Sequence, residues 1–436
     1  MLKQILKKKK RPIVVSDFDG TISTRDISYE ILDRFSTGGW QGVDEAYARG
    51  EIGSQEAFRL ILEKIKATKS ELIDHINQLS PPIDPRFVEF YRYIRERGID
   101  LVILSDGFLF YIKLLLEREG ITDIPIYAND IIEDKTGTLV PIFPYHNGQC
   151  DKCGNCKSNI VKKLKEDHDH IIFVGDGYSD LCASELADTL FAKRQLMKHA
   201  AETRRPFTYF HDFADVRTEF EKEIRGVIFD LDGTLVDSLE AIRTSFLHTI
   251  DTLDLDVDVE KSFGEMMNWP LTVGMEKIFP GTDLNEAVKV FREKYYAIYK
   301  DATPIKPGIN EVLTYLADSG VKLTVATNKL APLARELLEH LAIDGYFEAV
   351  IGVGDVPNPK PAPDMVDAAI QKMGTTRQDT ILVGDSQVDI ETARNSNIDV
   401  YVVSDSFDPP EELVKRKPRK MFYSTEELGR ELSSEV

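Results

Sequence analysis

The stretch RPIVVSDFDGTIS, residues 11–23, is a short apolar, β-branched run that ends abruptly in Asp-x-Asp-Gly-Thr, and IRGVIFDLDGTLVDS, residues 224–238, reads the same way. An apolar run of this length giving way to polar residues and glycine is the pattern of a buried parallel strand feeding a loop at its carboxyl end. The equivalent residues Asp17 and Asp230 lie 213 positions apart. That is about one domain length, so the repeat points to duplication or fusion of one architecture rather than to a short-period solenoid.

Working outward, each start is followed by helix-like sequence, ISYEILDRF and SQEAFRLILEKIKA in the first half and LEAIRTSFLHTIDTL in the second. Strand-like runs then return as IDLVILSDG (99–107), HIIFVGDG (170–177), VKLTVATNK (321–329) and DTILVGDS (379–386). Strands alternating with helices predict an α/β fold, here two doubly wound parallel sheets with helices on both faces, and ligands in such sheets bind beyond the carboxyl ends of the strands. Every polar signature falls at such an end. The acidic stretch FADVRTEFEKEIRG (213–226) places the boundary near 220, with a short linker. The expected division is a basic tail at 1–12, domains at 13–220 and 221–425, and a tail at 426–436.

The 436 residues are 42% hydrophobic and 29% charged, with no segment approaching the roughly 18 apolar residues of a membrane span. The opening MLKQILKKKKRP is basic but lacks the apolar core of a secretory signal, so a cytoplasmic protein is expected. With 54 basic against 74 acidic residues, net −20, the chain repels polyanions, and neither nucleic acid nor membrane is an expected partner. A phosphorylated small molecule is then admitted only where local cations or a metal offset the field. Four cysteines, three of them clustered, suit a reducing compartment. Oligomeric state is not legible.

Two carboxylates two residues apart at a strand end can divide the labour of phosphate-ester hydrolysis. One attacks phosphorus, and the other protonates the leaving oxygen and then activates water. Taken alone, Asp-x-Asp also fits turns and calcium loops. The neighbouring motifs decide the matter, because in both halves their order resembles the haloacid dehalogenase superfamily of phosphatases.

That resemblance implies Asp17 as nucleophile and Asp19 as acid/base. Thr21 would orient the loop and join the phosphate-binding set with Ser105 in LVILSDG and Lys157 in CKSNIVKKL. Asp176 and Asp180 in GDGYSD would complete a magnesium site with Asp17 and Asp19. In the second half the same roles fall to Asp230, Asp232, Thr234, Thr327 in TVATNK and Lys360 in NPKPAPD, with Asp385 and Asp389 in GDSQVD joining Asp230 and Asp232 at the metal. It also implies Rossmann-like cores, each with a mainly helical cap, at about 25–85 and 237–303. A phosphoryl group in flight needs a cation, hydrogen-bond donors and a hard metal ion with oxygen ligands, and this set supplies them.

The first half is most similar to the branch of phosphoserine phosphatase and the methionine-salvage enol-phosphate phosphatase, nearer the second through SDGFLFYI, CDKCGNCK and FAKRQL. Asp26 stands where serine-specific members carry a cap Glu, and Arg59 is the one candidate for their cap Arg. The second half is similar to the branch of phosphoglycolate phosphatases, small pyrophosphatases and β-phosphoglucomutases. The expected function is a magnesium-dependent phosphomonoester hydrolase acting on small phosphorylated metabolites at two sites. The alternatives are a sugar-phosphate mutase in one half, more readily the second, or a half that binds a phosphometabolite without turnover.

His146, Cys150, Cys153 and Cys156 have the ligand count of a structural zinc site, with free thiols the competing reading. DKTGT at 134–138 matches the phosphorylation signature of ion pumps but reads as a turn between two strands.

Overall fold

The computed structural model describes residues 11–80, 82–148, 153–267, 271–405 and 408–435. The chain divides into two compact units, Met1–Lys222 and Glu223–Val436.

In the first unit the strands are β1 (Pro12–Ser16), β2 (Asp100–Phe108), β3 (Ile126–Glu133), β4 (Leu139–Ile142), β5 (His170–Gly175), β6 (Thr189–Ala192) and β7 (Phe207–Tyr209). They lie in the order β7-β6-β5-β1-β2-β3-β4. All pairs are parallel except the β3–β4 hairpin. β1 is buried along its whole length, as its unbroken Ile-Val-Val run requires of a central parallel strand. It is flanked by β5 and β2, so Asp17 emerges at the point where the strand order turns back on itself, the usual position of a ligand crevice. The DKTGT segment forms the exposed turn between β3 and β4, where the Asp134 carboxylate accepts from the backbone N–H groups of Thr136 and Thr138.

Between β1 and β2 the chain forms four helices, α1 (Ile27–Phe35), α2 (Gln41–Ala48), α3 (Ser54–Leu62) and α4 (Lys69–Gln78), before α5 (Pro85–Arg95) returns to the sheet. Their starts follow capping chemistry. Asp26 accepts from Tyr29 N at α1, Thr68 and Glu71 form a capping box at α4, and Asp84 followed by Pro85 opens α5. The later helices are α6 (Leu109–Arg118), α7 (Lys157–Asp167), α8 (Leu181–Ser184), α9 (Arg194–Glu202) and α10 (Phe213–Glu221).

The second unit repeats the plan with β8 (Gly226–Phe229), β9 (Lys322–Leu330), β10 (Ala349–Val353), β11 (Thr380–Gly384), β12 (Asp399–Val403) and β13 (Lys420–Phe422), all parallel, in the order β10-β9-β8-β11-β12-β13. The helices α11 (Leu239–Thr252), α12 (Val259–Met267), α13 (Leu271–Ile278) and α14 (Leu284–Ile298) stand between β8 and β9. There follow α15 (Ile309–Asp318), α16 (Ala331–His340), α17 (Asp364–Met373), α18 (Gln387–Ser396), α19 (Pro410–Lys415) and α20 (Thr425–Glu435).

Both terminal expectations need correction. Of the basic stretch 1–12, residues 1–10 lie outside the described residues, and Pro12 already belongs to β1. The stretch 426–436, expected as a tail, is helix α20 through Glu435. Its Leu428 and Leu432, one turn apart, are both fully buried in the core of the second unit, and Thr425 caps onto the Pro307 carbonyl. Two buried leucines on one face suffice to dock an otherwise polar helix. No helix among the described residues is long and apolar enough to cross a membrane.

Candidate active sites

The loop after β1 is a tight turn in which Thr21, Ile22 and Ser23 all donate their backbone N–H to the Phe18 carbonyl. Gly20 makes it possible, with φ of 74° and a position where a Cβ would lie 2.7 Å from the Asp176 carboxylate. Asp17 is held in line with the sheet because its N–H donates to Val174 O of β5 at 2.9 Å. The Asp17 and Asp180 carboxylates share one ammonium, with Lys157 Nζ 2.6 Å from Asp17 Oδ1 and 2.7 Å from Asp180 Oδ1. Asp180 is fixed in turn by the backbone N–H groups of Asp176 and Gly177, both at 3.1 Å. Thr21 Oγ1 donates to Asp176 Oδ1 at 3.1 Å.

The second unit reproduces this arrangement contact for contact. Asp230 N donates to Val383 O at 2.8 Å, Lys360 Nζ lies 2.8 Å from Asp230 Oδ1 and 2.7 Å from Asp389 Oδ1, and Thr234 Oγ1 donates to Asp385 Oδ1 at 3.1 Å. Here Ser386 opens α18 in a capping box with Asp389, which explains why the Asp-Ser-x-x-Asp spacing turns the second carboxylate back over the loop.

Ser105 and Thr327 are buried at the ends of β2 and β9, their hydroxyl oxygens accepting from Gly107 N and Lys329 N. The residue after each had gone unnoticed in the sequence. Asp106 Oδ1 accepts from Asn155 N, and Asn328 brackets Lys360 by accepting from its N–H and donating to its carbonyl. Each anchors the loop that delivers the lysine. Their shared offset from Ser105 and Thr327 was the available signal.

Carboxylate oxygens of Asp17, Asp176 and Asp180 all lie within 4.8 Å of one another, as do those of Asp230, Asp385 and Asp389. Three carboxylates face Lys157 and Arg194 in the first cluster and Lys360 in the second, so each keeps excess negative charge, the donor chemistry that a hard divalent cation fits. Asp19 and Asp232, expected among the metal ligands, bring no side-chain oxygen into these clusters, and their carboxylates have other partners. Asp19 accepts from Ile27 N at 2.9 Å and from the Tyr111 hydroxyl at 2.6 Å. Asp232 is gripped by Lys329 Nζ at 2.8 and 3.0 Å, and the same ammonium donates to the Tyr295 hydroxyl at 2.6 Å. The partnerships of Tyr111 and Tyr295 are not legible in the sequence, since each exists only once helix α6 or α14 is folded against the loop.

Burial dominates the electrostatics. It raises Asp17, with Asp180 adding to the effect, and lifts Asp19 to about 8, with Asp26 as the next cause. It lifts Asp230 to about 7, although Lys360 pulls the other way. For Lys157 and Lys360 burial opposes the charge, yet the facing aspartates outweigh it and both ammonium groups are held protonated.

The loop Asp17–Gly20, helices α1 to α3 and the start of α9 enclose a cavity of about 650 Å³ in the first unit. Its counterpart at Asp230 is about 390 Å³. Arg194 lies on the rim of the larger one with its backbone at a positive φ of 49° and its Nη1 2.8 Å from Asp176 Oδ2. Strain of this kind in a non-glycine residue clusters at functional sites. Asp26 also lines this cavity, whereas Arg59 does not; Arg59 lies over the Phe143 ring.

The zinc expectation finds no support. Among the described residues, His, Cys, Asp and Glu side chains converge into metal-sized groups only at the two aspartate clusters. His146 Nδ1 is 2.8 Å from the Phe143 carbonyl, Cys156 Sγ is 3.5 Å from Ser158 Oγ, Cys153 joins neither in a cluster, and Cys150 lies outside the described residues.

Residues 12–213 match the family model described as "Putative Phosphatase", and residues 227–403 the one described as "Haloacid dehalogenase-like hydrolase". The chain is 30% identical over 225 residues to the 2-hydroxy-3-keto-5-methylthiopentenyl-1-phosphate phosphatase of Brevibacillus brevis, covering 49% of this chain and 99% of that protein. It is 32% identical over 181 residues to pyrophosphatase PpaX of Halalkalibacterium halodurans, covering 42% of this chain and 84% of that protein. Among solved structures, a haloacid dehalogenase-like hydrolase from Streptococcus pneumoniae aligns with 26% identity and a TM-score of 0.44, over 48% of this chain and 98% of its own. The chain is a phosphatase and belongs, through both of its halves, to the haloacid dehalogenase superfamily.

Proposed function

We propose that the chain carries two active sites, one per unit, each hydrolysing phosphate monoesters of small metabolites through an aspartyl-phosphate intermediate with magnesium as cofactor. The observation that carries this reading is the bridging lysine. Lys157 and Lys360 each span a strand-end aspartate and a second buried aspartate at 2.6–2.8 Å, and Ser105 or Thr327 is buried on the neighbouring strand. A scaffold would gain nothing from burying three carboxylates around one cation twice, since uncompensated buried charge costs stability.

In the first unit a carboxylate oxygen of Asp17 attacks phosphorus and the bond to the ester oxygen breaks. With its pKa at about 8, Asp19 holds a proton at neutral pH and passes it to the departing oxygen. Asp19, now a carboxylate, takes a proton from the water that attacks the aspartyl phosphate, releasing phosphate and restoring Asp17. Lys157 and Ser105 bind the phosphoryl oxygens throughout, and Tyr111 and Ile27 N keep Asp19 aimed. A magnesium ion held by Asp17, Asp176 and Asp180 would neutralise charge on the phosphoryl group. In the second unit Asp230, Lys360, Thr327, Asp385 and Asp389 take the corresponding parts, and Asp232, at the place of Asp19, is the acid/base group with Lys329 as its partner.

The nearer relatives named above act on a methylthio-substituted enol phosphate and on pyrophosphate. We take small phosphorylated metabolites as the substrate class of both sites and the cytoplasm as their place, with the free thiols of Cys156 and Cys182 supporting a reducing compartment. The test is magnesium-dependent phosphate release across a panel of phosphorylated metabolites, comparing wild type with Asp17→Asn, Asp230→Asn and the double variant. Each single variant should lose a different subset and the double variant all of it. Unchanged release in the double variant would refute the reading.

A further inference from the structure

Arg194 is fixed at its root and free along its arm. Two backbone hydrogen bonds tie the start of α9 to the loop after β5, Lys193 N donating to Gly175 O at 3.3 Å and Leu196 N to Asp176 O at 3.1 Å. Those ties hold Arg194 at a φ of 49°, a conformation that a residue with a Cβ adopts where its surroundings impose it. The side chain itself is 59% exposed, yet it reaches back over the Asp17–Gly20 loop, where a Cβ added to Gly20 would lie 2.6 Å from its Nη1. There Nη1 donates to Asp176 Oδ2 at 2.8 Å, while the buried Thr21 hydroxyl holds Asp176 Oδ1 at 3.1 Å.

Both oxygens of Asp176 are therefore engaged, one by a buried neutral hydroxyl and one by an exposed cation. The hydroxyl contact recurs in the second unit between Thr234 and Asp385 and belongs to the shared plan. The arginine does not: two residues past β6 stands Arg194, whereas two residues past β12 stands Asp405, itself paired with Lys306. Of the three clustered negative charges in the first unit, Lys157 offsets one and Arg194 a second. Lys157 is buried between two aspartates and cannot leave without stranding them. Arg194 can leave, because its arm already lies in water and an exposed ion pair is weakly held. A divalent ion that took Asp176 as a ligand would meet the guanidinium on the same carboxylate, and the two cations would compete for it.

Resting on the reading that the first unit holds magnesium at Asp17, Asp176 and Asp180, we propose that Arg194 is an exchangeable counter-ion of that site. It neutralises Asp176 while the metal is away, gives the carboxylate up when the metal binds, and so sets the metal affinity of the first site. Arg194 acts on the reaction only through Asp176 and is a positioning residue.

The probe is manganese, which shares magnesium's preference for carboxylate oxygens and whose free ion is counted by electron paramagnetic resonance. The parent is the full chain carrying Asp230→Asn and Asp385→Asn, which leaves the second cluster one carboxylate of its three. Asn tolerates a positive φ and is too short to reach Asp176, so Arg194→Asn removes the guanidinium at least cost to the backbone. It should tighten manganese by about fivefold, the scale of an exposed ion pair. Arg194→Lys keeps the charge and should stay within about twofold of the parent. An arginine that merely braced the loop would give the opposite sign, since its loss would loosen Asp176 and weaken the metal.

An affinity in Arg194→Asn that is unchanged or weaker overturns the proposal, as does equal tightening in Arg194→Lys. Melting by circular dichroism checks folding of each variant, and Arg194→Gly, suited to the same φ, decides if Arg194→Asn does not fold. Asp176→Asn should abolish binding in the parent. If the parent binds no manganese, or Asp176→Asn leaves binding intact, the reading of the first cluster as a metal site fails, separately from the role of Arg194.

Discussion

In the first unit the loop aspartate that faces the cap, Asp19, rests against a tyrosine hydroxyl; in the second, Asp232 rests against a lysine that also reaches the cap. One layer below, the two units are the same: an aspartate on β1 or β8, a buried lysine across it, and two further aspartates that close a cluster. Phosphoryl transfer makes the same demands whatever the leaving group, so that layer has little room to differ. On the two-site reading, the layer that would meet the leaving group is where the two units differ, in partner charge, in cavity volume and in the chemistry of the wall.

The comparison breaks most visibly if either proposed nucleophile is dispensable. Asp17→Asn and Asp230→Asn should each lower kcat for the affected site by on the order of 10⁴-fold or more, read as phosphate release on that site's substrates. Next in size is a stability effect confined to the second unit. Leu428→Ala empties a fully buried position where α20 meets its core, and should cost about 2–5 kcal/mol in denaturant melts. A cost near zero would return 426–436 to the status of a tail.

A smaller change sharpens the contrast at the acid/base layer. A Cβ on Gly107 would lie 1.8 Å from the Tyr111 hydroxyl and 2.5 Å from Asp19 Oδ2, so Gly107→Ala must displace one or both. First-site kcat should fall by about 10²-fold while second-site turnover is unchanged, because misplacing a reacting group by an ångström is that costly. Tyr111→Phe removes the hydroxyl without steric conflict, and a loss of about tenfold at the first site alone is expected from one hydrogen bond to Asp19.

The smallest effect concerns pH. Burial lifts Asp26 to about 6. An acid whose pKa is higher in the folded than in the unfolded state contributes most below its unfolded value, and that contribution is lost as pH rises towards 6. Asp26→Asn keeps the helix cap but not the charge. Between pH 4 and 7 the wild type should therefore lose on the order of 1 kcal/mol more stability than the variant, read as a larger fall in its melting temperature. Parallel curves would contradict the assignment.

What could be read from the sequence was local. The Asp-x-Asp-Gly-Thr turn needs its glycine, the Asp-Ser-x-x-Asp spacing is a capping box, and the β-branched runs are central strands, so each places its residues without knowledge of the rest of the fold. Tyr111, Tyr295 and Arg194 escaped because their roles arise only where a helix packs back over the loop. The side-chain partners of Asp19 and Asp232 belong to the folded unit rather than to the motif, since they come from elements far along the chain. The cysteine cluster failed for the opposite reason: the ligand count was right, but the described side chains do not converge. Helix α20 was missed because nine polar or small residues hid two leucines spaced one turn apart.

The central claim is that each unit forms its own covalent intermediate. Using substrates that the panel identifies for each site, labelled at the phosphoryl group, the direct measurement is rapid acid quench of the full chain followed by peptide mapping. The account predicts label on two peptides, one containing Asp17 and one containing Asp230, each lost in the matching Asn variant. Label on only one of them, or on neither while phosphate is being released, would contradict it.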